Sequence, residues 1–157
     1  MREIERKFLV RDDSFISQAV SSERIAQGYL CARRVTARVR IYGDKAFLTF
    51  KGKSKDGGLS RFEFELQIPL GCGESLLARC NSVVEKRRYI VPFEGYTWEV
   101  DLFEGLNEGL ALAEVEMADV NETPQLPEWV WTEVTSDYHY RNSFLAMRPY
   151  KTWFNSF

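Results

Sequence analysis

Residues 3–7 read Glu3-Ile4-Glu5-Arg6-Lys7, and the arrangement of the rest of the chain turns on these five. In a β-strand alternate side chains share a face, so Glu3, Glu5 and Lys7 point one way while Ile4, Arg6 and Phe8 point the other. Same-face neighbours lie about 7 Å apart along a strand. Two carboxylates at that separation repel by roughly 2 kcal/mol at an effective dielectric near 20. A bound cation would relieve the repulsion, as would matching charge from other strands.

The alternation recurs along the chain. Residues 23–31 read as a second strand containing Gln27-Gly28-Tyr29-Leu30. Residues 35–42 form a third, with Thr36, Arg38, Arg40 and Tyr42 opposite Ala37, Val39 and Ile41. After a Gly43-Asp44 turn, residues 45–51 form a fourth, with Phe47, Thr49 and Lys51 on one face. The Lys-, Ser- and Gly-rich stretch 52–58 reads as a mobile loop. Residues 59–68 alternate most cleanly, with Arg61, Glu63, Glu65 and Gln67 against Phe62, Phe64, Leu66 and Ile68. Residues 83–91 and 96–103 resemble a hairpin around 92–95, with Lys86 and Arg88 sharing one face and Glu99, Asp101 and Phe103 another. Residues 111–118 form a last strand carrying Glu114 and Glu116. Short helices are expected after Ser14 and within 71–80, and short helices or turns in 124–131 and 136–146.

A length of 157 residues fits one domain, 1–157, with a substantial core. Twenty-one basic against 23 acidic residues argue against a nucleic-acid partner held by a basic surface. No apolar run approaches the roughly 18 residues of a membrane span, and the charged N-terminus lacks the apolar core of a signal peptide. Cys31, Cys72 and Cys80 lack metal-ligand spacing and fit reduced thiols, so a cytoplasmic setting without a membrane partner is expected. His139 is the one histidine, which disfavours His-rich metal centres and any triad needing more than that imidazole.

An antiparallel sheet with one wet face and one dry face accounts for much of this patterning. Two details point elsewhere. The polar faces carry arginines and close carboxylate pairs rather than a Thr, Ser and Lys mixture. The opposite faces are large and apolar (Phe62, Phe64, Trp98, Leu102), so short helices are expected to cover them. A sheet closed into a barrel, charge inside and helices outside, satisfies both. Arginine and lysine around such a lumen suit a polyanion, because the guanidinium fork matches phosphate oxygens. Carboxylate pairs suit Mg²⁺ or Mn²⁺, which share their oxygen ligands with substrate phosphates.

The chain resembles the CYTH, or triphosphate tunnel metalloenzyme, family from residue 3 to about residue 146. The resemblance rests on Glu3-Ile4-Glu5-Arg6-Lys7, Gln27-Gly28-Tyr29-Leu30, Arg38-Val39-Arg40, Leu48-Thr49-Phe50-Lys51 and Arg61-Phe62-Glu63-Phe64-Glu65. It continues through Glu85-Lys86-Arg87-Arg88-Tyr89, Trp98-Glu99-Val100-Asp101, Glu114-Val115-Glu116, Glu133-Val134-Thr135 and Tyr140-Arg141-Asn142. It implies an α+β, mainly β fold: an eight-stranded antiparallel closed barrel with short helices packed outside. It also implies triphosphate substrates and divalent-metal dependence. His139 departs from the pattern, where arginine is expected.

On that resemblance Glu3, Glu5, Glu114 and Glu116 are the leading metal ligands. Glu63 and Glu65 either hold a second ion or orient arginines, and Glu99 and Asp101 either join the metal set or hold neighbouring lysines in place. Lys7, Arg38, Arg40, Lys51, Arg61, Lys86 and Arg88 are expected to grip phosphate, with one or two of them merely neutralising wall carboxylates. Lys86 and Tyr29 are the catalytic candidates: either the phenol accepts a hydrogen bond from Lys86 and tunes the amine, or Tyr29 is an aromatic wall residue. The expected activity is hydrolysis of inorganic tripolyphosphate. Class IV-type cyclisation of ATP, thiamine or nucleoside triphosphate hydrolysis, and non-catalytic polyphosphate or nucleotide binding are the alternatives, for a monomer or homodimer.

Overall fold

A computed structural model describes residues 2–32, 36–55 and 59–154. The expected strands form: β1 (Arg2–Val10), β2 (Ser21–Ala32), β3 (Thr36–Tyr42), β4 (Lys45–Lys55), β5 (Ser60–Ile68), β6 (Val83–Phe93), β7 (Tyr96–Phe103) and β8 (Ala111–Glu116). A ninth, β9 (Val130–Glu133), stands where turns and short helices were expected. Three α-helices accompany them among the described residues: α1 (Phe15–Gln18), α2 (Leu70–Ala78) and α3 (Asn142–Met147). The first is not capped by the Ser14 side chain; instead Asp12 accepts from the Ser14 amide at 3.0 Å and its hydroxyl at 2.5 Å.

The strand order is β5-β4-β3-β2-β6-β7-β8-β1-β9, and a further β5–β1 pairing closes the first eight into an antiparallel barrel. β1 is the shared seam. Its start pairs with β5 (Glu3 opposite Arg61), while Glu5 to Leu9 pair with β8 and Phe8 and Val10 pair with β9. The β6–β7 turn needs positive φ at both central residues, which Glu94 (47°) and Gly95 (80°) supply, as the twist of a two-residue hairpin requires. Residues expected in the loop 52–58 divide: 52–55 prolong β4, and 56–58 lie outside the described residues.

The apolar core lies outside the barrel wall rather than within it. Phe8, Trp98, Phe15 and Trp129 pack with ring centroids 5.6–5.8 Å apart, which places α1 and the β9 segment over β1, β6 and β7. Full burial of such side chains stabilises by about 1.5–3 kcal/mol each. Gly28 lets α2 approach, because a Cβ there would meet Cys80 Sγ at 2.6 Å. The expected helical cover fails on β5. Phe62 and Phe64 are each 55% exposed, since α2 leaves β5 to lie across β3 and β4.

Candidate active site

With apolar residues outward, the alternate positions converge on a cavity of about 230 Å³. Glu3, Glu5, Glu63, Glu65, Glu99, Glu114 and Glu116 line it together with Lys7, Arg38, Arg40, Lys51, Arg61, Arg88 and Arg141. Every residue expected at the site, Tyr29 included, lines this cavity except Lys86 and Asp101, although strand parity places those two on the same face.

Cross-strand register sets the positions of the bases. Tyr29, Arg38, Thr49 and Glu65 are successive partners across β2, β3, β4 and β5. Along that rung Arg38 Nη2 donates to the Thr49 hydroxyl at 3.2 Å, and Thr49 donates to Glu65 Oε2 at 2.7 Å. Arg38 is 4% exposed, and its buried Nε has no hydrogen-bond partner among the described residues. One rung on, Arg40 Nε donates to Gln27 Oε1 at 3.0 Å, and no ion pair ties Arg40 to a carboxylate among the described residues. Burial, then the charges of Arg38 and Arg88, pull its guanidinium down to about 9. Lys51 sits 3.5 Å from Glu3 and 3.9 Å from Glu63, and Lys7 lies 3.5 Å from Glu114. Arg61 Nε donates to the Gly52 carbonyl at 3.1 Å.

The acids come in pairs. Burial, then the charges of Glu114 and Glu3, hold Glu5 well above the usual carboxylate range. Its partner Glu114 is held well below: burial opposes this, but Lys7 and the bond from Glu5 outweigh it. Burial and a bond to Glu3 push Glu63 up to about 7, while Glu3 lies below its ordinary value because the Glu63 bond and Lys51 outweigh burial. In each pair one carboxyl is thus raised and the other lowered, with a hydrogen bond between them. No group of three His, Cys, Asp or Glu stands at metal-ligand spacing among the described residues. Paired carboxylates nonetheless fit Mg²⁺ or Mn²⁺, because small hard cations commonly take one or two protein carboxylates and complete their shell with water and phosphate. A divalent cation held by such a pair would compete with protonation of the raised carboxyl.

Three candidates lie in a different environment. Asp101 receives Arg88 through both oxygens, at 2.8 and 2.9 Å, and Lys86 Nζ at 2.6 Å. Those cations outweigh burial and hold its carboxyl at about 2, so Asp101 locks the wall. Arg88 also reaches Glu99 at 3.2 Å. Lys86 has no exposed surface and does not line the cavity; it donates to Asn142 Oδ1 at 3.0 Å and so ties α3 to β6. Burial brings its ammonium down to about 7, with Asp101 opposing and Arg88 and Arg40 adding to the shift. Of the two alternatives for Tyr29, a bond with Lys86 is not found among the described residues; its hydroxyl accepts from Gln27 Nε2 at 2.8 Å and the residue lines the cavity.

The CYTH domain family model matches residues 1–144. The chain belongs to the CYTH domain family. An inorganic triphosphatase of Acetivibrio thermocellus is 45% identical over 155 residues, covering 97% of both chains. One of Nitrosomonas europaea is 37% identical over 153 residues, covering 94% of this chain and 98% of the relative. A crystal structure of an inorganic triphosphatase superposes with a TM-score of 0.68 at 33% identity, over 92% of this chain and 94% of that one. A Hippeastrum protein described as a putative adenylyl cyclase with dominant triphosphatase activity shares the fold, with a TM-score of 0.60 at 17% identity over 74% of this chain and 80% of its own.

The CYTH barrel also brings in residues to which strand parity assigned no role. Arg141, Asn142 and Ser143 at the start of α3 line the cavity, as does Thr36. The signal for the first three lay in and beside the Tyr140-Arg141-Asn142 segment, but nothing local shows that it folds back over a lumen, whereas Thr36 already shared the face of Arg38 and Arg40. Lys7 Nζ anchors it by donating to the Tyr140 carbonyl at 3.2 Å. His139 stacks on Tyr138 at 4.2 Å and meets Asp137 at 2.6 Å on an exposed surface, as a helix-packing histidine does. No helix among the described residues is long and apolar enough to cross a membrane.

Proposed function

We propose that this CYTH protein is a divalent-metal-dependent triphosphatase that hydrolyses inorganic tripolyphosphate, with residues 1–157 acting as one cytoplasmic domain. The observation that carries the reading is the uncompensated charge of the lumen. Among the described residues Arg40 stands beside Arg38 and Arg88 with no ion pair to a carboxylate, and Arg38 keeps a buried Nε without a hydrogen-bond partner, while Glu5 and Glu63 are raised above the ordinary carboxylate range. A polyanion fits the first group and a cation the second, and tripolyphosphate with its metal brings both. The names of the relatives support the same substrate.

In this reading Arg38, Arg40, Lys51, Arg61 and Lys7 bind phosphate oxygens, and Arg88 reaches them from the wall while Asp101 fixes its fork. Glu5 with Glu114, and Glu3 with Glu63, hold Mg²⁺ or Mn²⁺, and Glu116 lies beside the first pair opposite Glu5. Glu65 and Glu99 orient Arg38 and Arg88. When bound, the ion supplies a Lewis acid for phosphoryl oxygens and lowers the pKa of the attacking water. The chain's own contribution is alignment and stabilisation of the charge that develops during transfer to water. Lys86 acts indirectly by fixing Asn142.

The test is phosphate release from tripolyphosphate, ATP and thiamine triphosphate with Mg²⁺, Mn²⁺ or Ca²⁺, alongside cyclic AMP formation. Metal-dependent release from tripolyphosphate, exceeding that from either organic triphosphate, is expected. Cyclic AMP as the main product, or binding without turnover under every condition, would overturn the assignment.

A further inference from the structure

Gln27 is fully buried on β2, opposite Arg40 on β3. Its amide makes two contacts: Oε1 accepts from Arg40 Nε at 3.0 Å, and Nε2 donates to the Tyr29 hydroxyl oxygen at 2.8 Å. The orientation of the amide is fixed by chemistry. An arginine has only donors, so the amide oxygen must face it and the amide nitrogen must face the tyrosine. Tyr29 oxygen is therefore an acceptor towards Gln27, and its own hydrogen must point elsewhere. Burial raises the phenol above its ordinary value, so it keeps that hydrogen. Among the described residues no hydrogen-bond acceptor takes it, and Tyr29 borders the cavity.

We propose that Gln27 is a positioning residue that makes the Tyr29 hydroxyl a hydrogen-bond donor into the lumen and holds the Arg40 fork towards the same substrate. The two effects come from one amide. Fixing Nε on the strand side leaves the two Nη groups of Arg40 for a phosphate oxygen, in the bidentate manner of guanidinium. Occupying the tyrosine lone pair leaves O–H as the group that meets the polyanion, which carries only acceptors. A carboxylate at position 27 would still hold Arg40 but would take the Tyr29 hydrogen for itself. The inference rests on the tripolyphosphate reading and adds the residue that sets the donor polarity of its site.

The experiment is a double-mutant cycle on Gln27→Glu and Tyr29→Phe. It is read in kcat, KM and calorimetric tripolyphosphate affinity with Mg²⁺, with folding checked by circular dichroism. Tyr29→Phe is expected to cost about tenfold in the wild-type background, the order of one hydrogen bond. In the Gln27→Glu background it is expected to cost less than twofold, because that hydrogen has already been withdrawn. The comparison is unaffected by the added charge, which both members of the second pair carry. Gln27→Met, which keeps volume without polarity, is expected to raise KM at least fivefold through Arg40, and it serves if Gln27→Glu fails to fold. Equal Tyr29→Phe penalties in the two backgrounds, or an unchanged KM in Gln27→Met, would overturn this inference alone. Wild-type protein that neither binds nor hydrolyses tripolyphosphate would overturn the substrate reading as well.

Discussion

Buried charge is handled in two ways within one barrel. Beside α3, Asp101, Arg88 and Lys86 close on one another through contacts of 2.6–2.9 Å. Elsewhere on the lumen Arg40 makes no ion pair with a carboxylate among the described residues, and burial with neighbouring acids raises Glu5 and Glu63 although Lys51 stands near them. Satisfied charges build a wall. Unsatisfied ones are a standing cost, relieved only when something of complementary charge arrives. The difference separates residues that hold the barrel together from those free to hold a ligand, although strand parity alone assigns all of them to one face.

The comparison is broken most forcefully by opening the closed cluster. Asp101→Ala leaves Lys86 buried without its counter-ion and Arg88 with Glu99 alone, and should lower the unfolding free energy by about 3–5 kcal/mol, measured by denaturant titration. A loss under about 1 kcal/mol would remove Asp101 from the framework. Glu5→Gln should do the reverse: phosphate release from tripolyphosphate falls at least about a hundredfold, the scale of a disrupted metal site, while the denaturation midpoint stays level or rises.

Protons sharpen the contrast, because the two regions carry opposite signs. Glu63 is raised from 4.5 to about 7, so its contribution is present below pH 4.5 and is lost as pH climbs through about 7. Glu5 shifts the same way. Asp101 is lowered from 3.8 to about 2, so its contribution is present above pH 3.8 and lost as pH falls through about 2. Mg²⁺ should therefore raise the melting temperature more at pH 8, above the value of about 7 to which Glu63 is raised, than at pH 5. An equal shift at both values would place the ion elsewhere. The smallest effect belongs to the outside: Arg24 meets Glu85 at 3.3 Å and Glu104 at 3.2 Å on an exposed surface. Arg24→Ala should cost under about 1 kcal/mol and leave hydrolysis unchanged.

Much of the barrel was legible because strand parity is a local property. Glu3, Glu5 and Lys7, or Glu63 and Glu65, declare a common face within five residues. What decided the roles was not local. Lys86 shares the face of Arg88, yet Asn142, 56 positions away, helps to bury it. Asp101 reads like any lumen acid until β6 sets Arg88 opposite it. β9 escaped notice because four residues (Val130–Glu133) between prolines and polar turns carry too short a pattern. The aromatics of β5 promised a helical cover that α2 gives to β3 and β4 instead. Gln27 was visible only as part of a motif, since its two hydrogen bonds need the fold to exist.

The central claim is that uncompensated charge in the lumen is there for substrate, and Arg40→Gln tests it most directly. The substitution removes a partly buried cation that no ion pair holds among the described residues, while its amide can still donate to Gln27. Denaturant stability and tripolyphosphate hydrolysis with Mg²⁺ should be measured on the same preparation. A variant at least as stable as the parent, with kcat/KM lowered at least about tenfold, is the predicted result. Full hydrolysis from a clearly destabilised variant would contradict it, by making Arg40 part of the wall.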